Sequence, residues 1–153
     1  MSDDGANRPK KQTEYLGQRD AQPMQDRPAR PQTNILGPSW GLKFKFADNS
    51  LVELDMRDVM IIGRSTDEND PQPPALDLAP YGAYQNGVSR QHAAITRHQG
   101  GLYIEDLGST NGTRINGFEL TARRKYRLRD GDEIEFARIR TSVRFVRPDS
   151  IDG

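Results

Sequence analysis

The sequence predicts an all-β sandwich or barrel. Three observations carry this: short runs that alternate apolar and polar residues, tight-turn dipeptides between them, and no amphipathic helical pattern longer than two turns. The first run starts after Trp40, where Leu42, Phe44 and Phe46 alternate with Lys43 and Lys45, the period of a half-buried strand. Similar runs follow at 51–54, 59–62, 93–96, 102–105, 126–128, 134–136 and 143–146, and a further short strand is expected within 75–78. Asp48-Asn49, Gly100-Gly101, Asn111-Gly112, Asn116-Gly117 and Asp130-Gly131 punctuate them. Asn-Gly and Asp-Gly accept the positive φ angles that hairpin turns demand.

The chain divides by composition. Hydrophobic residues make up only 33% of the 153, where roughly 45–50% apolar, glycine included, is usual for a compact protein. The deficit sits at the start. Residues 1–39 are poor in apolar side chains and hold Pro9, Pro23, Pro28, Pro31 and Pro38, half of the ten prolines. Such a segment buries too little surface to offset its ordering entropy. The expectation is a disordered N-terminal arm over 1–39, one domain over 40–147 and a short tail over 148–153.

Charge and residue types exclude several function classes. With 22 basic and 22 acidic residues the chain is neutral, which argues against bulk electrostatic capture of nucleic acid or an anionic membrane. The absence of cysteine removes disulfides, thiolate metal sites and a cysteine nucleophile, and two histidines do not close a typical structural metal site. No metal or other cofactor is expected. No apolar run reaches the roughly 18 residues of a membrane span, and residues 1–11 lack the apolar stretch of a secretory signal, so a cytoplasmic location is expected.

Three polar clusters exceed what cores and turns require. Gly63-Arg64 closes one apolar run. Val88-Ser89-Arg90-Gln91-His92 opens another. Gly108-Ser109-Thr110-Asn111-Gly112-Thr113 follows a third and precedes Asn116-Gly117. Loops of a sandwich gather at its two ends. If these three share an end, guanidinium forks, hydroxyls and glycine-freed backbone amides converge, which is the chemistry of a phosphate site. A phosphoamino acid offers about −1.5 to −2 charges and three acceptor oxygens to such a cluster.

Together, in this order, and with the later Leu128-Arg129-Asp130-Gly131-Asp132-Glu133-Ile134 stretch, these pieces resemble the forkhead-associated (FHA) domain family over roughly residues 40–147. The resemblance implies a β-sandwich of about eleven strands that binds phosphothreonine peptides through loops at one end and is not an enzyme. It implies that Arg64 forks onto the phosphate, that Ser89 donates its hydroxyl to it, and that Arg90 adds charge or contacts the peptide. Thr110 then supplies a further hydroxyl, and Asn111 holds the peptide backbone. Gly63, His92, Asn116 and Gly117 match positions that support the site, with His92 bracing a binding loop. The 24 residues between Arg64 and Ser89 depart from the family pattern, being longer and richer in proline; long loops in compact domains tend to carry function.

The function expected is a phosphothreonine-binding adaptor in Ser/Thr kinase signalling. It would act as a monomer and have a phosphorylated kinase or kinase substrate as its partner. Thr13 and Thr33 each have leucine three places on and are candidate phosphorylation sites, through which the arm would act as a competing ligand. The alternative is a scaffold that uses the same fold without phosphate. Plainer readings stand beside these: Arg64 as a surface partner of Asp67 or Glu68, Ser89 and Asn111 as turn formers, Ser89-His92-Asp106 as a hydrolase triad, and Arg123, Arg124, Lys125, Arg127 and Arg129 as a solvated or nucleic-acid-facing strand.

Overall fold

The structure, a computed structural model, describes residues 36–148. Most of the expected arm, with Thr13 and Thr33, and residues 149–153 of the tail lie outside the described residues. The alternation after Trp40 forms β1 (Gly41–Phe46), with Leu42, Phe44 and Phe46 buried. There follow β2 (Leu51–Asp55), β3 (Val59–Gly63), β4 (Leu76–Asp77), β5 (Gln91–His98) and β6 (Gly101–Asp106). The rest are β7 (Thr113–Ile115), β8 (Phe118–Glu119), β9 (Tyr126–Leu128), β10 (Glu133–Phe136) and β11 (Ile139–Val146). A 3-10 turn at Ala79–Tyr81 is the one helical element among the described residues. No helix there is long and apolar enough to cross a membrane.

The strands form two sheets, β2-β1-β11-β10-β7-β8 and β4-β3-β5-β6-β9. Their inner faces supply Leu42, Phe44, Ile115, Ile134, Phe136 and Val143 from one side and Met60, Ile62, Leu76, Ile95, Leu102, Ile104 and Leu128 from the other, all essentially without solvent contact. Side chains of this size contribute about 1.5–3 kcal/mol each on full burial. The packed residues begin before Trp40, where the sequence reading placed the start of the domain. Leu36 is buried in the core and its amide donates to the Gly100 carbonyl at 3.0 Å.

The topology decides where loops meet. β3 runs antiparallel to β5, and β5 antiparallel to β6. The end of β3, the start of β5 and the end of β6 therefore lie together. β7 begins at the same end, in the other sheet. Leu36 and the Gly100-Gly101 turn occupy the opposite end.

Turn chemistry matches the expected dipeptides. Asn116 (φ 49°) and Gly117 (φ 85°) form the two-residue hairpin turn between β7 and β8. Asn116 also ties that hairpin to the next: its Oδ1 accepts the Glu133 amide at 2.9 Å and its Nδ2 donates to Asp132 at 3.1 Å. Because Phe44 is fully buried at the centre of β1, Phe44→Ala is expected to cost about 3–5 kcal/mol, read as a lower midpoint in a denaturant titration.

Candidate functional site

The three polar clusters converge. At the end of β3 the register shifts between Ile62 and Gly63, a bulge that brings Gly63 opposite Gln91. A Cβ on Gly63 would overlap the Arg90 carbonyl oxygen, so only glycine lets the Ser89-Arg90 turn lie this close. The Arg64 amide then donates to that same carbonyl at 3.1 Å, and its Nε donates to the Val88 carbonyl at 3.0 Å. These bonds leave both terminal nitrogens of the guanidinium unengaged, while its central carbon lies over the Tyr84 ring, 5.2 Å from the centroid. Among the described residues no carboxylate pairs with Arg64, so the plain surface-pair reading with Asp67 or Glu68 does not hold. Nearby acids serve their own loop: Asp67 accepts the Asn69 amide, and Asp70 the amides of Thr66 and Gln72.

His92 and Asp106 hold the other two loops. His92 is fully buried, next to the edge of Phe136. Its Nδ1 accepts the Ser89 amide at 3.0 Å, so the proton sits on Nε2, which donates to the Gly112 carbonyl at 2.8 Å. The ring thus bridges the loop before β5 to the loop before β7. Asp106 organises the second loop: it accepts the amides of Gly108 and Ser109 at 3.0 Å, and the hydroxyls of Ser109 and Thr113 at 2.6 Å each. Ser109 Oγ in turn accepts the Gly112 amide at 2.9 Å.

Two direct bonds join the loops. The Thr110 amide donates to Ser89 Oγ at 3.2 Å, and Asn111 Nδ2 donates to the Gly87 carbonyl at 2.9 Å. Ser89 Oγ therefore accepts from the protein, and its own proton has no acceptor among the described residues. Arg90 and Thr110 are exposed beside it. Asn111 retains its side-chain carbonyl and one amide proton. Arg64, Ser89, Arg90, Thr110 and Asn111 share one surface, and Gly63 and His92 lie directly beneath it. Asn116 and Gly117 do not: they sit at the other end of β7 and brace hairpins there.

A hydrolase triad is not assembled. His92 meets the Ser89 amide rather than its hydroxyl, and its second nitrogen is spent on Gly112. Asp106 addresses Ser109 and Thr113. Of the basic run, Arg127 lies over the Tyr103 ring at 5.4 Å, and Arg123, Arg124 and Lys125 are exposed.

Sequence reasoning missed two participants. Asp106 stands two and three residues before the amides it accepts, an Asx-type spacing that was legible. Tyr84 carried no signal beyond being an aromatic in a glycine-rich loop.

The electrostatics favour a neutral His92 and an ionised Asp106 beneath the loops. Burial pushes the His92 pKa below its ordinary 6.5, against the hydrogen bond to Gly112 and the nearby Asp106 charge, which act to raise it. Burial acts to raise the Asp106 carboxyl, but the bonds from Ser109 and Thr113 outweigh it and hold its pKa below the usual carboxylate value.

A two-sheet sandwich with a rim of arginine and hydroxyl donors on loops at one end is the architecture of a ligand-recognition module. Comparison with known families matches residues 60–137, about half of the chain, to the FHA domain, and the protein belongs to that family. Among solved structures it is similar to one from a structural and functional analysis of phosphothreonine-dependent FHA domain interactions. That match has 28% identity and a TM-score of 0.53, over 68% of this chain and 95% of the other. It is also similar to the FhaA FHA domain complexed with the intracellular domain of Rv3910, at 29% identity and a TM-score of 0.52, over 67% and 99%. Protein FraH of Nostoc sp. (strain PCC 7120) is 43% identical over 70 residues, which are 46% of this chain and 24% of FraH. The chain thus spans about a quarter of the length of that relative.

The depressed His92 pKa sets a testable sign. The unfolded chain binds a proton at His92 near the ordinary value of 6.5, while the folded protein resists it. Stability from this group is therefore full above 6.5 and is lost as pH falls through the folded pKa. Protonation would also set a second N–H against the Ser89 amide. A pH series of NMR spectra is expected to show the His92 ring titrating below 6.5, and denaturant midpoints are expected to decline over the same range. A titration at or above 6.5 would contradict the burial argument.

Proposed function

We propose that this protein is a phosphothreonine-peptide-binding adaptor in Ser/Thr kinase signalling. The observation that carries this reading is the single surface formed by the free guanidinium edge of Arg64, the unspent hydroxyl proton of Ser89 and the exposed Arg90 and Thr110, all on loops bonded to one another. A phosphate offers three acceptor oxygens to that donor set, and an arginine fork matches two of them. Hydrogen bonds to charged groups contribute roughly 1.5–3 kcal/mol each, so two or three separate a phosphorylated peptide from its parent by orders of magnitude. The remaining polar groups of Asn111 suit the peptide backbone. The partner is a phosphorylated kinase or kinase substrate, and the protein works as a cytoplasmic monomer without metal or cofactor.

Arg64→Ala is expected to abolish binding to a phosphothreonine peptide by calorimetry while leaving the thermal midpoint nearly unchanged. Affinity that survives this change would favour instead a phosphate-independent scaffold contact.

The arm is a candidate ligand for the same site, and the position of Leu36 restricts which threonine can serve. Leu36 is bonded to Gly100, at the end of the sandwich away from the site, with the whole of β5 (Gln91–His98) between. Those eight residues span about 25 Å at roughly 3.3 Å each. Thr33 precedes Leu36 by three residues and reaches no more than about 11 Å. Thr13 precedes it by 23 residues, enough for a millimolar-range effective concentration across a flexible tether. Phosphate on Thr13 is therefore expected to weaken capture of an external peptide in dilute protein. Phosphate on Thr33 is expected to do so only as concentration rises and copies meet. Equal peptide affinity of the Thr13-phosphorylated and unmodified proteins would sink self-inhibition.

A further inference from the structure

The long connection between Arg64 and Ser89 has a structure that the phosphate contacts alone do not require. It is held down by Leu76, Leu78, Ala83 and Val88, all buried, and by the stacked rings of Phe46 and Tyr81, 4.0 Å apart. Asp77 secures its start by accepting the amides of Ser65 and Ala79 at 3.0 Å. Its last part is a tight, fully bonded turn. The Asn86 amide and side chain both donate to the Gly82 carbonyl, the Gly87 amide donates to Tyr84, and the Val88 amide donates to Ala83 at 2.9 Å. Gly82 (φ 78°) and Gly87 (φ 79°) permit the reversals.

Tyr84 stands at the top of this turn. Its side chain is 76% exposed, so burial does not explain its position, yet its ring lies against the Arg64 guanidinium at 5.2 Å. The Val88 carbonyl that accepts from Arg64 Nε belongs to the same turn, four residues on. One short segment therefore meets the guanidinium twice, at one edge through a carbonyl and at its central carbon through a ring. What remains is the edge carrying both terminal nitrogens. A long arginine side chain otherwise spends rotamer entropy to reach one geometry.

We propose that Tyr84 is a positioning residue of the phosphate site: its ring holds the Arg64 guanidinium in place so that the free edge is presented ready-made to the ligand. The inference rests on Arg64 being the phosphate ligand, as proposed above. It also assigns a task to the long loop, which carries both the ring and the carbonyl that aim the arginine.

The test uses the full chain and the tightest member of a phosphothreonine peptide library, titrated into wild type, Tyr84→Ala, Tyr84→Phe and Arg64→Ala. An exposed cation–π contact is modest, so Tyr84→Ala is expected to weaken binding about two- to five-fold, with an unchanged thermal midpoint because the side chain is exposed. Tyr84→Phe keeps the ring and is expected to bind as wild type. In the unliganded protein the Arg64 Nε–H resonance is expected to move in Tyr84→Ala, where the ring current is lost, and to stay in Tyr84→Phe. Wild-type or tighter binding by Tyr84→Ala would overturn the proposal, the tighter result making the ring a cover over the site. So would an equal loss in Tyr84→Phe, which would give the contact to the hydroxyl. A loss of affinity in Tyr84→Ala matched by a fall in the thermal midpoint would also count against it. Undiminished binding by Arg64→Ala would instead remove the phosphate-site reading beneath it, a result separable from the others.

Discussion

The bond from His92 to the Gly112 carbonyl is the constraint on which the loop end of this protein depends. His92 belongs to the β4-β3-β5-β6-β9 sheet, whereas Gly112 leads into β7 of the other sheet. The same carbonyl accepts the Ala137 amide at 2.9 Å, so both of its lone pairs are used and the turn between β10 and β11 is drawn into the assembly. Asp106 repeats the logic one strand over, joining β6 to Thr113 of β7 through a buried 2.6 Å bond. Two polar ties thus clamp the sheets at the end where loops must be held in register. A buried imidazole serves here because each nitrogen can be fully spent in the neutral form, and burial keeps it neutral.

Much of this was legible in the sequence, for reasons that differ between fold and site. The strands with clean period 2 or a solid apolar run, such as β1 and β3, were readable because one or both of their faces are buried. β7 and β8 were not, since three residues and two residues carry no periodicity; only the Asn116-Gly117 turn between them was visible. Leu36 was assigned to the arm because composition averages over a window and cannot single out one apolar residue that packs. The site residue types were readable as phosphate chemistry. Their convergence was not, because it follows from β5 lying between β3 and β6, and from a bulge at Gly63 that only a non-local pairing creates.

Net neutrality takes on a structural meaning. Asp67 and Asp70 lie close to Arg64 in sequence and would neutralise it if their side chains were free to turn. Each is committed to backbone amides of its own loop. Other described acids pair with arginines away from the site, as Asp58 does with Arg97 and Glu135 with Arg140, and Asp106 is the hub beneath the site. Arg64 is left with a carbonyl and a ring as its partners and no carboxylate among the described residues, while Arg90 feels the Asp70 charge. A neutral chain therefore presents a locally positive surface without any excess of basic residues.

Ser89 and Ser109 show how such a surface chooses its donors. Both serines stand in loops at the same end, and both hydroxyl oxygens accept a backbone amide, from Thr110 and from Gly112. The difference lies in where the proton goes. Ser109 has the Asp106 carboxylate at 2.6 Å to receive it and is exhausted by the fold. Ser89 has no such acceptor among the described residues, so its hydroxyl proton is not spent on the fold. A carboxylate placed beneath one serine and withheld from the other decides which hydroxyl is spent on the fold and which is not. That decision is written in the position of Asp106 three residues before Ser109, whereas the stretch before Ser89, ending in Asn86-Gly87-Val88, holds no acid to claim the proton.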